Sequence, residues 1–289
     1  MKFLVLGASG MAGHMIGLYL QEKGHEVVGF SRHGVNLFPC VEGDAFDRST
    51  LASLIRNDNF DVVVNSIGIL NEDAERHKEK AAYLNAYLPH ELAAITEGYS
   101  TRIFHLSTDC VFAGNAGPYS ETSLPDGISF YDRSKALGEL DDSKNLTLRQ
   151  SIVGPDINTN GIGLLNWFMK QNGTVHGFQN VLWTGLTTLE LAHAIEAAAL
   201  QESTGLVNMV PDTNISKHDL LCLFNKHMRA EEVALEPVED PYLDKTLVRT
   251  VHNVDFRPQS YSQQVKDLAG WMCDHAEIYR YESFRQVRS

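Results

Sequence analysis

Residues 3–13 read Phe3-Leu-Val-Leu6-Gly7-Ala-Ser9-Gly10-Met11-Ala-Gly13. The apolar run 3–6 predicts a strand buried on both faces, as in a parallel sheet. Gly7 ends it. Residues 11–23 then predict a helix: Met11, Met15 and Leu18 share a face, Lys23 suits the last turn, and Gly24 suits the stop. A strand, a glycine turn and a helix in direct succession present free N–H groups to a pyrophosphate. The first glycine allows a tight turn, the second lets the backbone approach the phosphates, and the third lets helix pack on strand. Gly7, Ser9, Gly10, Met11 and Gly13 are therefore expected to bind a dinucleotide.

Working outward, the alternation continues. Residues 26–31 predict a second strand. Asp47-Arg-Ser-Thr50 caps a helix with apolar Leu51, Leu54 and Ile55. Residues 61–67, with three successive valines, predict a third strand. Residues 74–97 predict one long helical stretch with Pro89 inside it. Strands over 102–107 and 146–149 flank a helix over 131–140. This order predicts an α/β fold, a Rossmann-type doubly wound parallel sheet over 1–153. Beyond it, helices over 162–170, 189–200, 216–228 and 261–271 and a strand over 205–210 surround a mixed stretch, 234–256. These predict a smaller C-terminal substrate-binding lobe over 154–289, with some segments returning to the main sheet.

The formal net charge of −13 argues against nucleic acid or an anionic membrane as partner. It leaves room for a small anionic ligand, because backbone N–H groups bind phosphate on an acidic protein. Cys40, Cys110, Cys222 and Cys273 form no Cys-x-x-Cys pair, so a reduced, cytoplasmic protein is expected. The first apolar run is too short for a leader or a membrane span.

The second strand ends Gly29-Phe-Ser31-Arg32-His33. An acidic residue here would hold a free ribose hydroxyl, whereas Arg32 suits a 2′-phosphate. NADPH is the expected cofactor, with NADH the alternative. Asp44 and Ala45, in a short acidic turn, are expected at the adenine. Ser66, Ile67 and Gly68 end the valine-rich strand and leave room for ribose and nicotinamide. Pro89 has no N–H, so the carbonyl of Asn85 loses its helical partner. That carbonyl or the Asn85 side chain is expected to hold a water beside Lys135. His105-Leu-Ser107-Thr108-Asp109 closes a strand at the end where ligands bind. Ser107 is expected to border the cofactor, and Thr108 to hydrogen-bond both a substrate carbonyl and Tyr131. Tyr131 and Lys135 lie one helical turn apart, so phenol and ammonium share a face. A neighbouring ammonium favours phenolate and draws the phenol from about 10 toward neutrality. Such a tyrosine hands a proton to a carbonyl oxygen. Taken singly, Arg32 also reads as a surface arginine, Asp44 as a helix cap and Ser-Thr-Asp as a turn.

Segments 7–13 and 107–112, Pro118-Tyr-Ser-Glu121, and segment 131–139 occur in the order and spacing of the extended short-chain dehydrogenase/reductases. The chain resembles that superfamily, and within it the dTDP-4-dehydrorhamnose reductase family. The similarity extends to Leu148-Arg149-Gln-Ser151 and Trp183-Thr-Gly-Leu-Thr187-Thr-Leu-Glu-Leu-Ala192. The resemblance implies reduction of the 4-keto group of a nucleotide-linked 6-deoxyhexose for surface polysaccharide precursors. It implies Tyr131 as proton donor, Lys135 as the residue that lowers its pKa and holds the nicotinamide ribose, and Thr108 as the group polarising the carbonyl. Asp109, Ile152 and Trp183 fall at the implied sugar pocket; Asn166 and Phe168 are candidates for its nucleotide or sugar side, or for core. Family members often carry tyrosine where Cys110 stands and tryptophan where Ile152 stands. These departures extend the expected substrates from dTDP-4-dehydrorhamnose to a UDP-2-acetamido-2,6-dideoxy-4-hexulose. A sugar-nucleotide epimerase or dehydratase is the enzymatic alternative, although Cys110 replaces the second member of the dehydratase Asp-Glu pair. A non-catalytic NADP-binding regulatory subunit, as in methionine adenosyltransferase, is the other. Some relatives bind Mg2+ through acidic clusters at a dimer interface. No such cluster is recognised here, so no metal is expected; a homodimer is an open expectation.

Overall fold

The computed structural model describes residues 1–158 and 160–284. The chain opens with β1 (Lys2–Leu6), α1 (Met11–Glu22), β2 (Glu26–Ser31), β3 (Cys40–Glu42), α2 (Arg48–Asn57) and β4 (Val62–Asn65). It passes through α3 (Asn71–Arg76), α4 (Lys78–Ala81), a π-helix (Ala82–Tyr87) and α5 (Leu88–Ile95) to β5 (Arg102–Ser107), α6 (Phe130–Leu137) and β6 (Leu146–Arg149). Then come β7 (Ser151–Val153), α7 (Leu164–Phe168), β8 (Thr174–Phe178), β9 (Val181–Trp183), β10 (Gly185–Thr187) and α8 (Thr188–Leu200). The last elements are β11 (Gly205–Asn208), β12 (Ile215–Ser216), α9 (Lys217–Met228), β13 (Ala234–Val238), β14 (Leu243–Asp244) and α10 (Tyr261–Asp274).

A seven-stranded sheet in the order β11-β6-β5-β4-β1-β2-β3 forms the centre, and every pairing in it is parallel. Successive residues of its strands enter two different cores. Phe3, Val5, Val62, Val64, Phe104 and Leu106 join one apolar cluster. Leu4, Leu6, Val63 and Ile103 join the other. This is why these strands read as unbroken apolar runs: neither face meets water. The order reverses beside β1, which lies between β2 and β4, and a crevice opens beyond the carboxyl ends of β1 and β4.

The 74–97 stretch is not one helix. It breaks at His77 and passes through a π-turn, in which the N–H of Leu88 reaches the carbonyl of Tyr83. Pro89 then stands in the first turn of α5, where a missing N–H costs nothing. The π-turn resolves the conflict between proline and a continuous helix.

After β6 the chain builds small sheets: β12-β9-β14, β13-β8 and β10-β7. The stretch 234–256 contributes β13 and β14 to them. β11 returns to the edge of the central sheet beside β6. α8 packs against α1, where the Tyr19 hydroxyl donates to Glu196 Oε2 at 2.7 Å.

Candidate functional site

The glycine turn is built by two constraints. Gly7 has φ +81°, and its N–H donates to the Phe30 carbonyl at 2.8 Å. A Cβ on Gly13 would sit 2.2 Å from the Gly7 carbonyl oxygen, so only glycine lets α1 pack this close to β1. α1 starts at Gly10 with no side-chain cap, leaving its leading N–H groups for a ligand. Beside this turn lies a cavity of about 540 Å³. Gly7, Ser9, Gly10, Ser31, Arg32, Asp44, Ala45, Ser66, Ile67 and Gly68 all line it. These residues converge from the ends of β1, β2 and β4 and suit a dinucleotide. Met11, Gly13, Asn85, Ser107, Tyr131 and Lys135 do not line that cavity. Sequence reasoning missed Phe46, His77 and Lys80, which do. Phe46 stacks on Tyr83 with ring centroids 4.8 Å apart. Arg32 and Lys80 are exposed cations on the same wall.

The proton-transfer groups sit further along the sheet edge. α6 begins with a capping box: Ser129 accepts from the Asp132 N–H, and Asp132 accepts from the Ser129 N–H. That cap orients the first turn and with it Tyr131, which is buried together with Lys135 and Thr108. Thr108 directly follows β5; its hydroxyl donates to Asp109 Oδ1 at 3.1 Å and accepts from the Cys110 N–H at 3.1 Å.

The expected downward pull of Lys135 is not among the main influences on the phenol. Burial raises Tyr131 well above 10, the charges of Cys110, Asp109 and Asp132 push the same way, and only the Thr108 hydroxyl opposes them. Lys135 is instead turned into the sheet. Its ammonium donates to the Leu106 carbonyl at 2.7 Å and to His105 Nε2 at 3.2 Å. Burial lowers Lys135 to about 8. Burial, then the Lys135 charge, hold His105 well below 6.5, so its ring is neutral and offers Nε2 as an acceptor. His105 Nδ1 lies 3.2 Å from Asn65 Nδ2 on the neighbouring strand β4. Sequence reading gave His105 no role; alternation along β5, which points it away from Leu106, is the signal that would have found it.

Asn85 is fully buried at the π-turn. Its side chain accepts from the Ile69 N–H at 2.9 Å and donates to the Ile69 carbonyl at 2.9 Å and to Ser134 Oγ at 3.1 Å. Its side-chain bonds thus run to the loop after β4 and to Ser134, the neighbour of Lys135. Ser107 donates to Glu139 Oε1 at 2.6 Å, and Glu139 holds Arg149 through Nε at 2.8 Å and Nη2 at 2.6 Å.

On the substrate side, Asp109 is buried; burial raises its carboxyl, and the charges of Lys217 and Lys245 oppose that rise. Burial and then Asp109 push the Cys110 thiol up to about 12. Trp183 is buried at the end of β9, with the Lys217 ammonium 5.0 Å from its ring. Ile152 lies on β7 opposite Leu186 and packs against the main core. Phe168 is core, and Asn166 donates to the Asn158 and Gly161 carbonyls. Among the described residues no cluster of His, Cys, Asp and Glu has the makings of a metal site, and no helix is long and apolar enough to cross a membrane.

Residues 1–250 match the family described as RmlD substrate binding domain. The chain belongs to this family. Among curated relatives it is 31% identical to dTDP-4-keto-6-deoxy-D-glucose reductase of Streptomyces niveus over 140 residues, 48% of this chain and 46% of that one. It is 28% identical to methionine adenosyltransferase 2 subunit beta of Xenopus laevis over 141 residues, 48% of this chain and 41% of that one. These matches thus span less than half the length of either relative. The fold is shared with dTDP-4-dehydrorhamnose reductase of Bacillus anthracis, solved in complex with NADP, at a TM-score of 0.77 and 17% identity, covering 92% of this chain and 98% of that one.

Proposed function

We propose that the protein is a cytoplasmic, NADPH-dependent reductase of the 4-keto group of a nucleotide-linked 6-deoxyhexose, acting in the synthesis of surface polysaccharide precursors. The observation that carries this reading is the convergence of Thr108, Tyr131 and Lys135 at the same sheet edge as the dinucleotide crevice. Burial keeps Tyr131 protonated, which is the form a proton donor needs. Its hydroxyl donates to the substrate's carbonyl oxygen as negative charge develops there. Lys135, anchored on Leu106 and His105, holds the α6 turn that carries Tyr131 against β5. Bound NADPH supplies the hydride. Arg32 and Lys80 suit its 2′-phosphate, and the uncapped N-terminus of α1 suits its pyrophosphate.

The substrates in view are dTDP-4-dehydrorhamnose and UDP-2-acetamido-2,6-dideoxy-4-hexuloses. The test is to mix the protein with NADPH and each 4-keto sugar nucleotide and follow loss of NADPH absorbance. Turnover of one of them, with stoichiometric formation of the alcohol, is expected. Bound NADPH with no turnover on any of them would overturn the reading in favour of a regulatory subunit. Interconversion of sugars without net NADPH loss would point to an epimerase.

A further inference from the structure

The three-stranded sheet of the C-terminal lobe has a consequence for the substrate. β9 is its middle strand and ends in Trp183. β12 runs antiparallel on one side, with Ile215 opposite Trp183, and hands directly to Lys217. β14 runs parallel on the other side, with Asp244 opposite Leu182, and hands directly to Lys245. Long-range pairing thus brings two ammonium groups to the strand of one tryptophan. Lys217 rests over that ring at 5.0 Å. Its charge and that of Lys245 both act on buried Asp109, the residue after Thr108.

The charge of buried Asp109 reaches both lysines without a hydrogen bond to either. Among the described residues no carboxylate or carbonyl pairs with the Lys217 or Lys245 ammonium. The nearby carboxylate, Asp109, takes its hydrogen bond from Thr108. Burial disfavours the charged form of Lys217 and lowers it to about 8, and the charges of Asp109 and Cys110 only partly restore it. A cation held at such cost over an aromatic face, without a hydrogen-bonded protein anion, is a site for a ligand anion. Its position relative to the chemistry is also defined. Cys110, two residues after Thr108, lies within electrostatic reach of both the Lys217 ammonium and the Tyr131 phenol.

We propose that Lys217, seated on Trp183 and delivered by β12, is a specificity-determining residue that binds an anionic oxygen group of the substrate. The group is either a phosphate of the diphosphate link or a carboxylate on the sugar. The word substrate rests on the reductase reading; the anion site itself does not. Lys245 is the second cation of the same wall.

The test is calorimetric titration of the full chain, with wild type, Lys217→Met, Lys217→Gln and Lys217→Arg compared at equal ionic strength. The probes are UDP, dTDP, UDP-glucose, UDP-glucuronate and NADPH. If the anion is the diphosphate, Lys217→Met weakens UDP or dTDP by about 10- to 100-fold, the scale of a hydrogen bond to a charged group. If it is a sugar carboxylate, UDP is unaffected and the preference for UDP-glucuronate over UDP-glucose disappears. In either case Lys217→Arg retains most affinity and NADPH binding is unchanged. Lys217→Gln gives the same answer should the methionine variant fail to fold. Wild type and Lys217 variants that bind every probe alike, or a wild type that binds no diphosphate and no uronate, would overturn the proposal. Loss of anion binding in a protein that reduces no 4-keto sugar would leave the anion site standing and remove the reductase reading. Intact anion binding in Lys217→Met with NADPH-dependent turnover would do the reverse.

Discussion

Arg149→Met is expected to cost about 3–5 kcal/mol, because it strands a buried carboxylate. The Arg149 and Glu139 side chains are only 2% and 7% exposed. Arg149 supplies Glu139 with two charge-assisted bonds, at 2.8 and 2.6 Å, and its guanidinium lies 5.1 Å from the Phe112 ring. After the substitution Glu139 keeps the Ser107 hydroxyl as its side-chain partner. The cost is a large part of the roughly 5–15 kcal/mol that holds a typical domain folded. At about 2 °C per kcal/mol for a chain of this size, Tm should fall by roughly 6–10 °C. Urea unfolding of wild type, Arg149→Met and the double variant Arg149→Met/Glu139→Leu measures it. The m-value should stay constant while the midpoint drops in the single variant and recovers in the double, because an apolar pair replaces a buried ion pair at little cost. A single variant within about 1 kcal/mol of wild type, against the expected cost of about 3–5, would refute the reasoning. So would a double variant no more stable than the single. A catalytic effect should accompany the loss, since Ser107 on β5 precedes Thr108 and is tied to Glu139.

Three further outcomes follow from the site. Tyr131→Phe should lower kcat by about 10²–10⁴-fold while leaving NADPH affinity within a few-fold, as single-turnover kinetics and titration would measure; equal turnover would remove the tyrosine from proton donation. Arg32→Asp should shift the ratio of kcat/KM values from NADPH toward NADH, and an unchanged ratio would eliminate the 2′-phosphate contact. Lys135 is lowered from 10.5 to about 8 by burial, so between those values the unfolded chain binds more protons than the folded one, and stability contributed here rises with pH. Below that window the burial of its charge is a standing cost, on the order of 3 kcal/mol. Lys135→Met should therefore be inactive yet more stable than wild type at neutral pH, with the gap closing toward pH 10.5; a pH-independent gap, or a less stable variant, would defeat this account.

The parts of the molecule legible in the sequence are those specified by contiguous residues. Apolar runs such as 3–6 and 62–64 reveal parallel strands, because burial on both faces removes any alternation. Gly7 and Gly13 reveal the dinucleotide turn, because one needs a positive φ and the other a close approach. β3 was unread: it has three residues, none of them buried, too few for a periodic signal. The helix over 74–97 was read as continuous, because Pro89 announces a conflict without saying that a π-turn would settle it. Phe46 and Lys80 escaped notice because their place on the cavity wall comes from chain geometry and no spacing encodes it. Lys217 reads locally as the first residue after a Ser216 cap. Only the pairing of β12 with β9 carries it to Trp183.

The same distinction separates rate from selectivity. Thr108, Tyr131 and Lys135 come from the end of β5 and from α6, elements of the central α/β layer, and their geometry is fixed by a cap, a buried phenol and the Lys135 bonds to Leu106 and His105. Trp183, Lys217 and Lys245 come from the small sheet of the C-terminal half and the residues directly after its strands, and the two lysines act electrostatically on Asp109 and Cys110. An interaction made equally with substrate and transition state changes KM, whereas one made only as charge develops changes kcat. Substitutions at Lys217 should therefore act mainly on KM and on the choice among substrates, and substitutions at Tyr131 mainly on kcat. The small sheet is then the part of the fold free to vary when the same carbonyl chemistry is turned to a different sugar nucleotide, because its lysines can change without disturbing the phenol or its support.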